Sequence, residues 1–168
     1  MPSIFKSLQD KQLVAELLSG KVGVIPTDTV YGLVCLARDQ PAVARLYGLK
    51  AREAKPGTFI AANIDQLAAL GIKRSYLKAV EQFWPGAITV IVPFTEQAGD
   101  YLRLGKYDIA VRLPNDTQLN QLLAKTGALL TTSANLAGTT TAATIKQAQQ
   151  YFGDKVDFYV DGGDLSDR

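Results

Sequence analysis

Short apolar segments rich in β-branched residues recur along this chain, at Val22 to Ile25, Leu33 to Ala37, Thr58 to Ala62, Ile88 to Pro93, Ile109 to Leu113, Ala128 to Thr132 and Val156 to Val160. Their length and their bounding turn residues suit strands. Between several of them apolar residues return at helical spacing: Val43, Leu46 and Tyr47, which predict a helix over residues 41 to 50, then Leu67 and Leu70, then Tyr76, Val80 and Phe83. Leu119, Leu122 and Leu123, and finally Ile145, Ala148 and Phe152, continue the pattern. Near the amino terminus Ser7 and Asp10 precede Leu13, Val14, Leu17 and Leu18, a capped amphipathic helix ended by Gly20. Strands that alternate with helices predict an open α/β arrangement, and 168 residues at 47% hydrophobic content suffice for a single domain, 1–168, around one core. No linker, repeat or low-complexity stretch interrupts it, and residues 99 to 108 read as a surface loop.

The strand Val22 to Ile25 runs into Pro26-Thr27-Asp28-Thr29-Val30-Tyr31-Gly32-Leu33. Proline fixes φ where the strand stops, two threonines bring short hydroxyls, and Gly32 allows close backbone approach, so donors converge at a strand end. Asp28 reads as an exposed turn residue, not a metal ligand. The chain has no histidine and one cysteine, Cys35, set between Val34 and Leu36 as a small buried hydrophobe. Serine–histidine and cysteine–histidine hydrolysis, zinc sites and internal disulfides are therefore excluded. A net charge of +2, with basic residues scattered among acids, lacks the dense basic stripe of a nucleic-acid binder. No apolar stretch approaches the ~18 residues that span a bilayer. The amino terminus lacks a signal-peptide core, so a cytoplasmic protein is expected.

Three further groups carry chemistry. Lys50, Arg52 and Lys55 cluster beyond a helix end; cations favour that position as solvated groups, and they would equally meet phosphate oxygens. Ser133 and Asn135 follow the strand Ala128 to Thr132, where they either cap a turn or line the crevice at the carboxyl ends of an open sheet. Arg112 closes the strand Ile109 to Val111, either exposed or holding a carboxylate in a bidentate pair.

In order and spacing, Pro26 to Leu33, the Lys50-x-Arg52 pair and Ser133-Ala134-Asn135 resemble the motifs of the YrdC-like family, whose members make threonylcarbamoyl-AMP for tRNA modification. Phe59 to Asn63, Trp84 to Thr89 and Ala110 to Arg112 extend the likeness over essentially the whole chain. The resemblance implies a twisted mixed sheet with helices around a concave face. It implies that Lys50 and Arg52 contact triphosphate and do the catalytic charge neutralisation, with Ser133, Asn135 and Thr141 around the nucleotide and Thr27, Arg112 and Thr131 on the substrate threonine. The implied reaction joins L-threonine to bicarbonate or CO2 as a carbamate, whose oxygen attacks the α-phosphate of ATP and expels pyrophosphate. A carbamate is already an anionic nucleophile, so no protein nucleophile is required, and Mg²⁺ would bridge phosphates and water with few dedicated carboxylates. A separate transferase complex would then carry the threonylcarbamoyl group to adenosine 37 of certain tRNAs.

Two departures from the family stand out. Glu53 takes the place of a proline common after the arginine, and relatives continue past Asp161-Gly162-Gly163 into a Pro-Ser-containing segment, whereas this chain stops at Arg168, which leaves one wall of the nucleotide site unaccounted for. Other readings of the same fold are a module that binds double-stranded RNA, tRNA or the ribosome through the concave surface, and a carbamoyl-adenylate-forming relative with another substrate. One cationic cluster suits a triphosphate better than it suits the successive grooves of an RNA helix.

Overall fold

The computed structural model describes residues 1–50 and 55–168. In chain order its strands are β1 (Ser3–Phe5), β2 (Gly23–Pro26), β3 (Tyr31–Leu36), β4 (Thr58–Ile60), β5 (Val90–Pro93), β6 (Asp108–Arg112), β7 (Leu129–Ser133) and β8 (Phe158–Val160). The helices are α1 (Lys11–Leu18), α2 (Gln40–Lys50), α3 (Ile64–Ala68), α4 (Arg74–Val80), α5 (Asp100–Arg103), α6 (Thr117–Thr126) and α7 (Ile145–Phe152). The strands form one mixed sheet in the order β1-β8-β2-β3-β7-β4-β6-β5. Its centre is antiparallel, β2 against β3, β3 against β7 and β7 against β4. The outer pairs β1 with β8, β8 with β2 and β4 with β6 are parallel.

Seven strands lie where the apolar segments predict them. β1 was not predicted; it forms because β8, more than 150 residues on, supplies its partner Phe158 to Val160. The first helix starts at Asp10, whose side chain accepts from the Gln12 amide, while the Ser7 hydroxyl closes the preceding turn on the Gln9 amide. The stretch expected as a surface loop between Gly99 and Asp108 instead carries α5, with Leu102 and Arg103 buried.

Side chains directly opposite on paired strands share a face, so the register sorts the core into two layers where one was expected. Ile25, Val34, Leu36, Ile60, Leu129, Phe158 and Val160 point one way and are covered by Leu13 and Leu17 of α1 and Leu119, Leu122 and Leu123 of α6. Val24, Leu33, Cys35, Phe59, Val111, Leu130 and Tyr159 point the other way, toward α2, α4 and α7. Cys35 is fully buried, which pushes its thiol pKa far up.

Asp157 ties α2 to β8, because it pairs with Arg45 and accepts from the Val22 amide at 2.9 Å. Burial pushes its carboxyl up, but the Arg45 guanidinium, the Val22 amide and Lys21 together outweigh that and hold it below its ordinary 3.8. Asp157→Asn is expected to cost about 1–2 kcal/mol at neutral pH in urea unfolding. A carboxyl depressed in the native state stabilises above its unfolded pKa, so the difference from wild type should vanish as pH falls through the lowered native value.

Candidate active site

The face that carries Ile25 and Leu129 does not stay covered along its whole length. Continuing along the strands beyond α1 and α6, the same side shows Gly32, opposite Ser133, then Thr131 opposite both Val34 and Thr58, and Ala110 opposite Thr58. Apolar branched residues thus give way to glycine, threonine and serine where the helices stop. There a cleft of about 210 Å³ opens, lined among others by Thr27, Thr29, Gly32, Lys55, Arg112, Thr131 and Ser133. Glycine at 32 and 57 keeps it open. A Cβ on Gly32 would lie 2.4 Å from Thr131 Oγ1, and one on Gly57 2.6 Å from the Thr131 carbonyl oxygen. Gly32→Ala is therefore expected to raise the KM for a ligand in this cleft about tenfold while shifting stability by about 1–3 kcal/mol, read by kinetics and thermal unfolding together.

The turn at the head of the cleft is built by Thr27. Its hydroxyl donates to the Val30 carbonyl at 2.6 Å and accepts from the Thr29 and Val30 amides, both at 3.2 Å. From behind, the Arg168 guanidinium donates to the Thr27 carbonyl at 2.7 Å, and the Tyr31 hydroxyl, buried and raised in pKa for that reason, donates to the Gly163 carbonyl and accepts from the Gly162 amide. The carboxyl-terminal residues are thus fastened to the back of the turn.

Arg112 is nearly buried, not exposed at its strand end. Its guanidinium donates to Asp28 Oδ1 at 3.0 Å and to Thr89 Oγ1 at 3.1 Å. Asp28, expected in solvent, has a side chain only 6% exposed. The chain places it there because the Thr27 turn folds over the end of β6, where a guanidinium compensates its charge. Burial raises its pKa more than Arg112 lowers it. Arg112 Nε and Asp28 Oδ2 have no hydrogen-bond partner among the described residues.

Lys50 ends α2, yet it is 4% exposed and turns inward, contrary to the solvated cation common at such a position. Its ammonium donates to the carbonyls of Ser133 and Asn135 at 2.7 and 2.8 Å and to Asn135 Oδ1 at 3.0 Å. Asn135 Oδ1 also accepts from Ser133 Oγ at 2.6 Å, and its amide nitrogen donates to the Thr139 carbonyl at 2.9 Å. The loop after β7 is therefore wound around Asn135, with a positive charge at its centre.

Of the residues expected at a site, Thr27, Arg112, Thr131 and Ser133 meet at the cleft, and Lys50 and Asn135 stand behind Ser133. Thr141 is half-buried outside the cleft lining, beside Ala142, whose amide bonds the Ala134 carbonyl. Arg52 lies outside the described residues. The cleft also takes in Thr29, Lys55, Gly57 and Thr58, while Asp28 and Thr89 sit behind Arg112. Asp28 and Thr89 were not marked as site residues; their only signal was membership of the Pro26 to Leu33 and Trp84 to Thr89 stretches.

A buried guanidinium paired with Asp28 at one end, threonine and serine hydroxyls on an open sheet and a turn held by a buried lysine at the other make a polar cleft on a mixed α/β sheet. The chain belongs to the Sua5/YciO/YrdC family: the profile Sua5_yciO_yrdC, described as "Telomere recombination", matches residues 15–168. It is 38% identical over 149 residues to the threonylcarbamoyl-AMP synthase of Idiomarina loihiensis, covering 84% of this chain and 80% of that one. It is 36% identical over 171 residues to that of Pseudomonas aeruginosa, covering all of this chain and 90% of the relative. A solved structure of P. abyssi Sua5 complexed with L-threonine superposes with a TM-score of 0.83 at 26% identity, over 98% of this chain. The chain spans about half, 51%, of that protein.

Proposed function

We propose that residues 1–168 act as a single YrdC-like domain with threonylcarbamoyl-AMP synthase activity, forming threonylcarbamoyl-AMP and pyrophosphate from L-threonine, bicarbonate or CO2, and ATP. The observation that carries this reading is the meeting of motifs far apart in sequence at one cleft, since the Lys50 and Arg112 contacts span 83 and 84 residues. The names of the relatives and the threonine complex of P. abyssi Sua5 support it.

In this reading Arg112 takes the α-carboxylate of threonine, with the Thr27 turn and Thr131 against the rest of the amino acid. Its ammonium gives a proton to solvent, the free amine adds to CO2 and releases a second proton to solvent to give a carbamate, the carbamate oxygen attacks the α-phosphorus, and the bond to the bridging oxygen breaks with pyrophosphate leaving. Ser133 contacts the nucleotide, and Lys50, through the turn it holds, supplies positive charge where phosphate charge develops. Asn135 fixes that turn, and Arg52, Lys55 and Thr141 complete the nucleotide side. Mg²⁺ enters with ATP as part of the substrate, held by phosphate oxygens and water; among the described residues no three carboxylates or other ligating side chains cluster to bind it independently. Proximity and charge neutralisation are what such a site contributes, because the carbamate needs no activation by a base.

The protein acts in the cytoplasm, and its product passes to a separate transferase complex that modifies tRNA. Among the described residues no helix is long and apolar enough to cross a membrane. The test supplies ATP, Mg²⁺ and bicarbonate with one amino acid at a time and looks by mass spectrometry for an aminoacyl-carbamoyl adenylate. Product with threonine is expected; product with a different amino acid alone would reassign the substrate. RNA binding that persists under saturating ATP, with no adenylate from any amino acid, would favour the RNA-binding reading.

A further inference from the structure

The charge arrangement around Arg112 poses a problem for any carboxylate that enters the cleft. Arg112 and Asp28 are already an ion pair, with side chains 9% and 6% exposed, so their joint charge is zero. A second carboxylate on the guanidinium would leave one net negative charge on these three buried groups, and Lys55, the other cation of the cleft lining, is exposed and screened by water, so the state is costly unless a proton is taken up. Among the described residues one oxygen of Asp28 is engaged. Oδ1 accepts from Arg112, whereas Oδ2 is buried and has no partner among the described residues. It can therefore take a proton without breaking the bond that orients the guanidinium. Arg112 lines the cleft, and the Nη1 bond to Thr89 fixes the plane of its fork, so a carboxylate in the cleft meets a guanidinium already in position.

We propose that Asp28 is the positioning residue for Arg112 and that it takes up a proton when the substrate carboxylate binds, which sets the strength of that binding. The inference rests on the reading of the cleft as a threonine site. Burial already favours the protonated form of Asp28, and the nearby Asp116 carboxylate acts in the same direction, while Arg112 opposes both. The other charged group at this turn, Arg168, is committed to the Thr27 carbonyl. Bound carboxylate adds a second negative charge and offsets the restraint that Arg112 exerts. With Asp28 ionised in the free protein and protonated in the complex, one proton accompanies each carboxylate.

The experiment is calorimetric titration of the protein with L-threonine in buffers of different ionisation enthalpy, over about pH 5 to 7.5, where the amino acid itself does not titrate. Wild type should take up close to one proton per threonine at the upper end of this range, and affinity should fall as pH rises, up to about tenfold per unit. Asp28→Asn keeps an acceptor for Arg112 without the charge; its affinity should be independent of pH and its proton uptake nil. Thr89→Val should weaken binding at every pH and leave the proton count unchanged. Threonine binding by wild type without proton uptake, or unchanged uptake by Asp28→Asn, would overturn the inference and leave the threonine site standing. Failure of wild type to bind any amino acid would overturn the reading of the cleft and the inference with it.

Discussion

Lys50→Met should abolish most of the adenylate-forming activity, by about 10²–10³ in kcat, and should lower the stability of the fold as well. A solvated lysine at a helix end would predict only the first effect. Here the ammonium is buried and donates to two carbonyls and a side-chain amide oxygen of one turn, and methionine of similar length would leave all three without that donor. Hydrogen bonds from a charged group contribute about 1.5–3 kcal/mol each before relaxation, and a loop able to reach water recovers part of that, so a loss of about 2–4 kcal/mol is expected in denaturant unfolding. Lys50→Arg is a sharper probe. It keeps the charge but forces a planar fork into a space shaped for an ammonium, so kcat should fall with the positive charge still present. Full activity of Lys50→Met would show that the charge at this turn takes no part in the reaction.

Arg112→Ala should raise the KM for threonine roughly a hundredfold, the loss of about 3 kcal/mol from a charge-assisted contact, with a smaller effect on the KM for ATP. It also strands Asp28. A buried carboxylate without its guanidinium destabilises the fold by about 3–5 kcal/mol when ionised. Because the native pKa of Asp28 is raised already and would rise further, that penalty is fully present at pH above the native value and shrinks as pH falls from there toward the unfolded carboxyl value. Arg112→Ala should therefore unfold more readily at pH 8 than at pH 5, and Asp28→Asn in the same background should remove the difference. A KM effect confined to ATP would move Arg112 to the nucleotide side of the cleft.

The strands were legible because each is a short apolar run with turn residues at its ends, and the helices because Leu119, Leu122 and Leu123 or Ile145, Ala148 and Phe152 repeat at 3.6-residue spacing. What escaped had no local signal. β1 is three residues long and leaves Ile4 54% exposed, so only its pairing with β8 makes it a strand. α5 is a single turn that stops at Leu104 with φ +48°, too short to show any period. The site follows the same rule. Thr27 and Asn135 lie in turns, and Ser133 at a strand end, whose residue types announce them, yet what these segments do depends on distant partners. Lys50 is buried only because β7 delivers the Ser133 to Asn135 turn to the end of α2, and Asp28 is buried only because the end of β6 brings Arg112 beneath the Thr27 turn. A charge at a helix end or in a turn reads as solvated until the partner that removes it from water is known.

The most direct measurement supplies ¹³C-bicarbonate with L-threonine and MgATP and follows threonylcarbamoyl-AMP and pyrophosphate together. An adenylate carrying the ¹³C label at its carbamoyl carbon is expected, in one-to-one yield with pyrophosphate and dependent on threonine. Pyrophosphate released without threonine, or bound ATP that yields no labelled adenylate, would contradict it.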